Sequence, residues 1–390
     1  MKIAVVCDSF KGSLTSKDAC AAVKDGLLRC NKNFEVLSLP FADGGEGTSR
    51  CFYDILGGQL RKAAVHDPLL REITAEYTVL PDGTAVIDVA SASGLTLLKS
   101  SERDAVKVSS LGSGELICDA AEHGAKHIIL GLGGSATTDA GTGILYALGM
   151  RFFSEDGAEV LPDGQNMIRV KKIRRTENFE RFKDIKFTLA CDVTNPLCGE
   201  NGAAYVFSPQ KGASKNDVKL LDDGLRNIGE IFEKASGKKI INLPGAGAAG
   251  GIGGGLSAFL NCELQSGFDV LARAASLEDK IRRSDAVITG EGKTDRQTLF
   301  GKLPKRVSDI AEKFGVPCIL LSGDVENDIS TETLGVCEIH KIKENGISLE
   351  HCMKNAASLL SERAFAIGKD SKIINKQYSR KQEEMRENKR

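Results

Sequence analysis

The sequence contains no tryptophan, and only 5% of its 390 residues are aromatic. Its 52 basic and 53 acidic side chains nearly cancel, which leaves a formal net charge of −1. Proteins that bind nucleic acids or anionic membrane surfaces usually carry an excess of positive charge, and single strands are held largely by stacking on aromatic rings. The composition therefore argues against a nucleic acid or a membrane as a partner.

Long apolar runs and paired cysteines are also missing. No apolar stretch approaches the roughly 18 residues of a membrane-spanning helix, and the short run after Met1 and Lys2 ends at Asp8, unlike a secretory signal. The eleven cysteines include no C-x-x-C pair, which is typical of reduced, mostly buried thiols. We therefore expect a soluble cytoplasmic protein.

Glycine, in contrast, is abundant, with 42 residues against nine prolines. The clearest cluster follows the apolar run 127–130, where Gly131, Gly133 and Gly134 precede Ser135 and a helical pattern begins soon after Asp139. A strand that ends in glycines and leads into a helix presents backbone N–H groups to an anion. This stretch predicts a phosphate-binding loop, although Asp139 is equally explained as a helix cap.

The order of apolar runs predicts an α/β fold. Strand and helix patterns alternate, which favours right-handed βαβ units and a doubly wound, mostly parallel, Rossmann-like sheet domain. We assign this domain to residues 1–65, 103–150 and 265–368. A second, inserted mixed α/β domain, richer in strands, takes residues 66–102 and 151–264, with a hairpin over 73–90. Residues 369–390 are expected to form a polar tail without a role in the core.

Four loops at predicted strand ends combine glycine with an acidic residue. They are residues 8–13, 43–48, 131–139 and 290–298, and two of them also carry a lysine, Lys11 and Lys293. Backbone N–H groups and lysines balance phosphate charge, whereas carboxylates hold Mg²⁺ and accept a proton from an attacking hydroxyl. The loops therefore indicate phosphoryl transfer. A Walker A loop is excluded, because Val287 stands where its first glycine would be.

Seven segments, in order along the chain, make this indication specific. They are Asp8-Ser9-Phe10-Lys11-Gly12-Ser13-Leu14, Ala42-Asp43-Gly44-Gly45-Glu46-Gly47-Thr48, Gly131-Leu132-Gly133-Gly134-Ser135-Ala136-Thr137, Ala190-Cys191-Asp192-Val193-Thr194-Asn195-Pro196-Leu197, Pro209-Gln210-Lys211-Gly212-Ala213, the glycine-rich run 245–255, and Ile288-Thr289-Gly290-Glu291-Gly292 with Asp295, Gln297 and Thr298. Together they resemble the class I glycerate kinases over residues 1–368. The chain departs mildly from that family at Leu70, Thr138 and Arg306, where the family tends to have Gly, Asn and Gly.

The resemblance implies a two-domain α/β kinase that uses ATP and Mg²⁺ to phosphorylate the small molecule D-glycerate, giving 2-phosphoglycerate. Three groups of site residues follow as hypotheses. The expected catalytic residues are Lys11, Asp192 and Asp295. The expected substrate- or nucleotide-binding residues are Asp8, Ser9, Gly44, Gly45, Gly133, Gly134, Ser135, Asn195, Lys211, Gly250 and Gly251. The expected metal ligands are Asp43, Glu46 and Glu291, and Asp43, Glu46 and Asp192 also compete for the role of general base.

Two other functions remain open at this point. Residues 245–250 match G-x-G-x-x-G literally, so a dinucleotide-dependent oxidoreductase of a small hydroxy acid is an alternative. It requires an acidic residue about 20 positions further on, and the nearest ones, Glu263 and Asp269, lie in helical sequence. A non-catalytic regulator that binds sugar acids is the second alternative, but it would be expected to lose several of the acids at strand ends.

Overall fold

The computed structural model describes residues 1–42, 44–160, 163–344 and 346–387. The chain divides into two compact units, of which the first comprises Met1–Asp43 with Leu271–Arg390 and the second Gly44–Val270. The second unit is therefore an insertion in the sequence of the first. The helix Gly267–Ala274 contains the point at which the chain returns to the first unit.

The first unit is built on a parallel five-stranded sheet. In spatial order its strands are Glu338–Lys341, Cys318–Ser322, Ala286–Gly290, Lys2–Cys7 and Glu35–Pro40. Residues 3–7 are fully buried, as expected for a strand that is covered on both faces of a parallel sheet. Two further short strands, Lys293–Thr294 and Asp324–Val325, pair with each other beyond the ends of the main strands.

Helices cover this sheet. They are Ser16–Cys30, Leu277–Arg282, Arg296–Leu299, Leu303–Lys313, Thr331–Leu334, Leu349–Lys354, Ala356–Asp370 and Lys372–Glu387. The first begins where the sequence predicts a cap, because the Thr15 hydroxyl accepts a hydrogen bond from the backbone N–H of Asp18. It packs closely on a second helix, since an ideal Cβ on Gly26 would lie 2.0 Å from the carbonyl oxygen of Ser361.

The second unit contains a mixed six-stranded sheet. In spatial order its strands are Asn261–Gln265, Lys186–Ala190, His127–Gly131, Ala85–Asp88, Glu72–Val79 and Gln59–His66. The first four are parallel, and the last two pairings are antiparallel. The predicted hairpin over 73–90 is thus confirmed, and Met150–Phe153 and Lys172–Arg175 form a separate small antiparallel pair. The two sheets and the helices between their strands confirm the predicted α/β fold class.

Helices of the second unit fill the connections between its strands. The α-helices are Thr48–Leu56, Ala90–Ser93, Leu111–Glu122, Thr142–Ala147, Ala203–Phe207, Lys215–Ser236 and Ala248–Phe259, and the 3-10 helices are Leu95–Leu97, Ser100–Glu102, Met167–Arg169, Glu177–Phe182 and Pro209–Lys211. In the part of the chain that is described, no helix is long and apolar enough to cross a membrane.

The structural units differ from the predicted domains in three segments, 44–65, 103–150 and 265–270, all of which belong to the second unit. The segment 103–150 was assigned to the first domain, but its strand His127–Gly131 pairs within the second sheet, between Ala85–Asp88 and Lys186–Ala190. An apolar strand that ends in glycine fits either parallel sheet, so its pattern carries no information on which one it joins. The expectation that 151–264 is rich in strands is also wrong in its second half, which contains the 22-residue helix Lys215–Ser236.

The expectation that residues after 368 have no role in the core is also wrong. Ile374, in the helix Lys372–Glu387, is fully buried in the core of the first unit. Tyr378, one turn later, meets the ring of Phe34 edge-on at a centroid distance of 5.7 Å. The polar composition of this helix conceals a short apolar face that packs on the sheet.

Replacing Ile374 with alanine tests this packing. We expect Ile374→Ala to lower the free energy of unfolding by about 2–4 kcal/mol, because it removes buried methyl and methylene groups and leaves a cavity. Urea unfolding measures the change. Lys376→Ala, at an exposed position of the same helix, serves as the control and should change stability by less than about 0.5 kcal/mol. Equal effects of the two variants would contradict the assignment of this helix to the core.

Candidate functional site

The loop 131–139 begins beside the ends of the two strands that flank its own strand. Asp88 and Gly131 are paired at the carboxyl ends of their strands, and the backbone N–H of Leu132 donates to the carbonyl oxygen of Ala190, at the end of the next strand, at 3.1 Å. Ligands of open α/β sheets bind at this edge. The loop 131–139 therefore begins where a ligand site is expected.

The turn at Gly44 and Gly45 packs directly against the turn at Gly133 and Gly134. The backbone N–H of Gly133 donates to the carbonyl oxygen of Gly44 at 3.1 Å. An ideal Cβ on Gly133 would lie only 2.5 Å from Cα of Gly45, and Gly134 has a φ of +81°. Any side chain at Gly133 would separate the two turns, so these glycines are required by the close approach of two backbones.

Hydrogen-bond donors of the loop 131–139 form the candidate ligand site. Among the described residues, the backbone N–H groups of Gly134 and Ser135 have no hydrogen-bond acceptor, whereas the N–H groups of Gly133 and Ala136 are paired. The Ser135 hydroxyl accepts a hydrogen bond from Lys211 Nζ at 3.0 Å. An ammonium group can only donate, so the O–H of Ser135 remains available as a donor. We call the N–H groups of Gly134 and Ser135, together with the Ser135 hydroxyl, the cradle.

Lys211 places a buried positive charge behind the cradle. Only 4% of the residue is exposed, and its ammonium also donates to the carbonyl oxygen of Thr137 at 2.7 Å. Burial lowers the pKa of Lys211 to about 8, and the charge of Asp139 opposes this shift. Because burial removes competing water, the ammonium raises the positive potential at the loop more than an exposed lysine would.

Asp139 and Thr138 are structural. The buried Asp139 carboxylate accepts hydrogen bonds from the N–H and hydroxyl of Ser110 at 2.9 and 2.7 Å, and from Gly141 N–H at 3.1 Å. Burial raises its pKa, and these hydrogen bonds lower it. Thr138 Oγ1 lies 2.9 Å from Ser208 Oγ in the interior. The departure from the family at Thr138 therefore involves an internal contact.

Two carboxylates of the described residues, those of Glu46 and Asp88, lie at the two turns. Glu46 is exposed, and its carboxylate accepts a hydrogen bond from Thr96 Oγ1 at 3.4 Å; its Cβ lies 3.7 Å from an ideal Cβ on Gly134. Asp88 is buried, which raises its pKa to about 7 although two backbone N–H groups lower it. Sequence analysis did not single out Asp88, although its position at the end of the apolar strand Ala85–Asp88 was a signal that could have identified it.

Gly250 and Gly251 are predicted phosphate ligands, but both approach another backbone closely. An ideal Cβ on Gly250 would lie 2.0 Å from the carbonyl oxygen of Thr137, and one on Gly251 would lie 2.9 Å from Cα of Ala140. The N–H of Ala140 also donates to the carbonyl oxygen of Gly250 at 3.0 Å. Packing alone accounts for these two glycines.

The literal G-x-G-x-x-G match has the wrong context for a dinucleotide site. That fingerprint follows a strand and opens a helix. Residues 237–247, all of them described, contain no strand, and the preceding element is the helix Lys215–Ser236. The run of glycines instead allows the helix Ala248–Phe259 to begin against the loop 137–140.

Asp192 and Asn195 follow the strand Lys186–Ala190 of the second unit. Asp192 is exposed. The side-chain NH₂ group of Asn195 donates to the backbone carbonyl oxygen of Asn201 at 2.8 Å. The backbone carbonyl oxygen of Asn195 accepts from Gly247 N–H at 3.0 Å. Asn195 therefore shapes its loop, while Asp192 is accessible to a ligand.

Other predicted residues lie at one edge of the first sheet. Asp8 follows the strand Lys2–Cys7 and donates its N–H to the carbonyl oxygen of Gly290 at 2.9 Å, and its carboxylate accepts from Ser9 N–H at 2.6 Å. Lys11 is exposed on the following turn. An ideal Cβ on Gly292 would lie 3.2 Å from Cα of Phe10. Asp8, Ser9 and Lys11 thus lie beside the loop that begins at Gly290.

Glu291 and Asp295 are fixed by hydrogen bonds within that loop. Glu291 is 6% exposed, and its carboxylate accepts from Thr298 Oγ1 at 2.6 Å. Burial raises the pKa of Glu291, and the bond from Thr298 lowers it. Asp295 caps the helix Arg296–Leu299 by accepting from Gln297 N–H at 2.9 Å, and Lys302 Nζ lies 3.5 Å from the same oxygen.

A polar groove of about 350 Å³, which sequence analysis did not predict, lies in the first unit. Its lining residues are Lys293, Asp324, Val325, Glu326, Asn327, Lys341, Lys343 and Glu344. Lys293 Nζ is 2.7 Å from Glu326, and Lys343 Nζ is 2.6 Å from Asp324. The positive charges of the groove are therefore balanced by neighbouring carboxylates.

The predicted metal ligands fall in different parts of the chain. Asp43 lies outside the described residues, and Glu46 and Glu291 belong to different units. Within the described ranges, no three His, Cys, Asp or Glu side chains are close enough to hold a metal ion together.

Comparisons with known proteins agree with the resemblance. The model of the glycerate kinase family matches residues 3–372. A glycerate 2-kinase of Escherichia coli is 41% identical over 330 residues, which cover 84% of this chain and 87% of the relative. A glycerate kinase of Halalkalibacterium halodurans is 38% identical over 364 residues, covering 93% and 96% of the two chains. The crystal structure of a protein described as glycerate kinase 2 from Salmonella typhimurium superimposes with a TM-score of 0.83 at 35% identity, covering 94% and 97%.

The fold, the cradle and these likenesses define an enzyme of the phosphotransferase class. The chain belongs to the glycerate kinase family, and the predicted resemblance is confirmed.

The packing role of Gly250 is testable with a matched pair of glycines. Gly250 and Gly237 have φ angles of +69° and +74°, but no atom lies within 4 Å of an ideal Cβ on Gly237. Both alanine variants carry the same backbone strain, and only Gly250→Ala adds a clash. We expect Gly250→Ala to lose roughly 1–3 kcal/mol more free energy of unfolding than Gly237→Ala. Similar losses in urea unfolding would contradict the packing role.

Lys211 should leave a signature in the pH dependence of stability. Its folded-state pKa is about 8, below the ordinary value near 10.4. Between these values the unfolded chain binds more protons than the folded one, so the free energy of unfolding rises with pH. We therefore compare the free energy of unfolding of wild type with that of Lys211→Met. The value for wild type minus that for the variant should increase from about pH 8 to about pH 10, by at most about 1.4 kcal/mol per pH unit.

Urea unfolding at a series of pH values measures this difference. Lys219→Met, at an exposed position of the helix Lys215–Ser236, is the control and should keep the wild-type slope. If the difference in free energy of unfolding between wild type and Lys211→Met stays constant over this pH range, the prediction that folding lowers the pKa of Lys211 is wrong.

Proposed function

We propose that the protein transfers the γ-phosphoryl group of ATP to D-glycerate and releases 2-phosphoglycerate and ADP. Membership of the glycerate kinase family supports the substrate and the kinase chemistry. The name of the E. coli relative, glycerate 2-kinase, supports the 2-hydroxyl group as the acceptor. In this reaction the 2-hydroxyl oxygen attacks the γ-phosphorus, the bond to the ADP oxygen breaks, and the hydroxyl proton passes to a base.

The observation that carries the proposal is the cradle with Lys211 behind it. Phosphoryl transfer is catalysed mainly by positioning and by stabilising charge on the phosphoryl oxygens. The two N–H donors and one O–H donor of Gly134 and Ser135 suit phosphate oxygens, and the ammonium at 3.0 Å from Ser135 Oγ adds positive potential. We therefore assign phosphate binding to the cradle.

The residues beside the cradle fit Mg²⁺ as a partner of the phosphate. Mg²⁺ is usually held by one or two carboxylates, with phosphate oxygens and water completing its octahedral coordination. Glu46 offers an exposed carboxylate on the turn that packs against Gly134, so we propose Glu46 as a metal ligand. Bound there, Mg²⁺ would neutralise charge on the phosphoryl group. We keep Asp43 and Glu291 as further candidate ligands on the strength of the resemblance alone.

Lys11, Asp192 and Asp295 are the proposed catalytic residues. The exposed ammonium of Lys11 is suited to screen the transferring phosphoryl group. Asp192 is an exposed carboxylate that follows a buried strand, which suits a general base that must reach a hydroxyl of the substrate. Asp295 competes for that role, although its carboxylate also caps a helix.

Nuclear magnetic resonance of the product tests the proposed function directly. The purified protein is incubated with D-glycerate, ATP and Mg²⁺, and the phosphorus–proton coupling of the product identifies the phosphorylated hydroxyl. We expect 2-phosphoglycerate and an equal amount of ADP. A reaction mixture with NAD in place of ATP is the control for oxidoreductase activity. Absence of ADP formation would overturn the kinase function, and 3-phosphoglycerate as the product would overturn the acceptor assignment alone.

Asparagine variants separate catalysis from helix capping. Asn keeps a side-chain oxygen that can accept the N–H bond of Gln297, but it cannot take a proton as a base. We expect Asp192→Asn to lower kcat by roughly 100-fold or more, as for loss of a general base, with an unchanged melting temperature. Asp295→Asn should do the same only if Asp295 is the base. A folded Asp192→Asn enzyme with the wild-type kcat would remove Asp192 from catalysis.

A further inference from the structure

The carboxylate of Asp88 lies between the turn at Gly44 and Gly45 and the strand that leads into the cradle. Asp88 Oδ2 accepts the N–H of Gly47 at 2.9 Å, and Oδ1 accepts the N–H of Ser49 at 3.0 Å. Gly47 is the residue before the helix Thr48–Leu56, and Ser49 lies in the first turn of this helix. The N-cap residue of this helix is Gly47, which has no side chain, so a carboxylate from a neighbouring strand supplies the cap.

The same carboxylate also lies against the strand that leads into the cradle. An ideal Cβ on Gly131 would lie 3.0 Å from Asp88 Oδ1 and 3.2 Å from the carbonyl oxygen of Gly44. The N–H of Val89 donates to the carbonyl oxygen of Gly131 at 2.9 Å. Asp88 therefore contacts both chain segments, and the absence of a side chain at Gly131 leaves the space that the carboxylate occupies.

The hydrogen bonds of Asp88 fix the position of Glu46. Gly47 is the residue after Glu46, and Gly44 accepts the N–H of Gly133 at 3.1 Å. The turn 44–47 is thus held at one end by the Asp88 carboxylate and at the other by the cradle loop. Glu46 lies between these two attachments, and the tip of its side chain accepts a hydrogen bond from Thr96 Oγ1 at 3.4 Å.

We propose that Asp88 is a positioning residue of the phosphoryl-transfer site, which holds the Glu46 turn and the cradle loop at a fixed separation. Asp88 touches no substrate in this scheme, since only 4% of the residue is exposed. It acts through the backbone of Gly47 and Ser49 on the direction of the Glu46 carboxylate. The proposal rests on the proposed function for its consequence in catalysis, but the connection between the two turns is testable without it.

Asp88→Asn is the variant that tests the proposal. The amide has one acceptor oxygen, and its NH₂ group would face an N–H donor, so one of the two hydrogen bonds is lost. We expect kcat to fall roughly tenfold or more, the Mg²⁺ concentration for half-maximal rate to rise, and the KM for D-glycerate to stay within about threefold. Hydrogen exchange should become faster both in peptides covering residues 44–50 and in peptides covering 131–135.

Asp222→Asn is the matched control. Asp222 is also a buried carboxylate of the second unit, and it accepts the backbone N–H of Gly199 at 2.7 Å. We expect Asp222→Asn to change kcat by less than about twofold even where its loss of melting temperature equals that of Asp88→Asn. Equal losses of kcat in both variants would overturn the proposal, because they would follow from destabilisation alone.

Two other results would also overturn it. One is a folded Asp88→Asn protein with a wild-type kcat and Mg²⁺ requirement. The other is faster exchange confined to residues 44–50, which would show that Asp88 does not hold the cradle loop. If wild type has no glycerate kinase activity, the proposed function fails, and the exchange experiment alone decides whether Asp88 joins the turns.

Gly131→Ala provides a second variant in case Asp88→Asn does not fold. Its methyl group would press on the Asp88 carboxylate, whose Oδ1 lies 3.0 Å from the ideal Cβ position, and leave both N–H acceptors in place. We expect the same changes in kcat, Mg²⁺ requirement and exchange, each smaller than in Asp88→Asn. A wild-type kcat with wild-type exchange in Gly131→Ala would count against the proposal.

Discussion

The contact between two backbones, at Gly45 and Gly133, is the constraint on which the second unit depends. Backbones that pass this closely exclude side chains on the facing residues, since an ideal Cβ at Gly133 would lie 2.5 Å from its neighbour's Cα. The contact allows the two turns to share one sheet edge, and the N–H groups of Gly134 and Ser135 have no acceptor in the part of the chain that the structure describes. Many other glycines of this chain also lie where another backbone approaches closely, as Gly26 and Gly250 do.

Buried charges surround this contact, and each one is compensated. Lys211 donates to two oxygens, Asp139 accepts four hydrogen bonds, and Asp88 accepts two. An ionised group without partners would be strongly unfavourable in the interior, whereas a bonded one orders the backbone around it. The internal hydrogen bonds of these three residues therefore hold the loop in its shape.

Much of the fold and part of the site could be predicted from the sequence. The apolar runs identified the strands Lys2–Cys7 and His127–Gly131, and Thr15 marked the start of a helix. Sheet membership of 127–131 was not predictable, because both sheets accept an apolar parallel strand. Gly250 and Asp88 illustrate a further limit. A glycine before a helix looks the same whether it meets a phosphate or a carbonyl group. The strand-end position of Asp88 marks it as a candidate, but no local pattern shows that its carboxylate caps another element. Only contacts between distant residues distinguish these cases.

The insertion of the second unit has a consequence for folding during synthesis. The strand Lys2–Cys7 pairs with Ala286–Gly290, so the ribosome must complete more than two thirds of the chain before the first sheet can close. The second unit, Gly44–Val270, has all of its strands by then and is free to fold earlier. Domains that form during translation generally do so as units, in the order in which they emerge. In this protein the second unit would therefore fold while the strand Lys2–Cys7 has at most one of its two neighbours, Glu35–Pro40, to pair with.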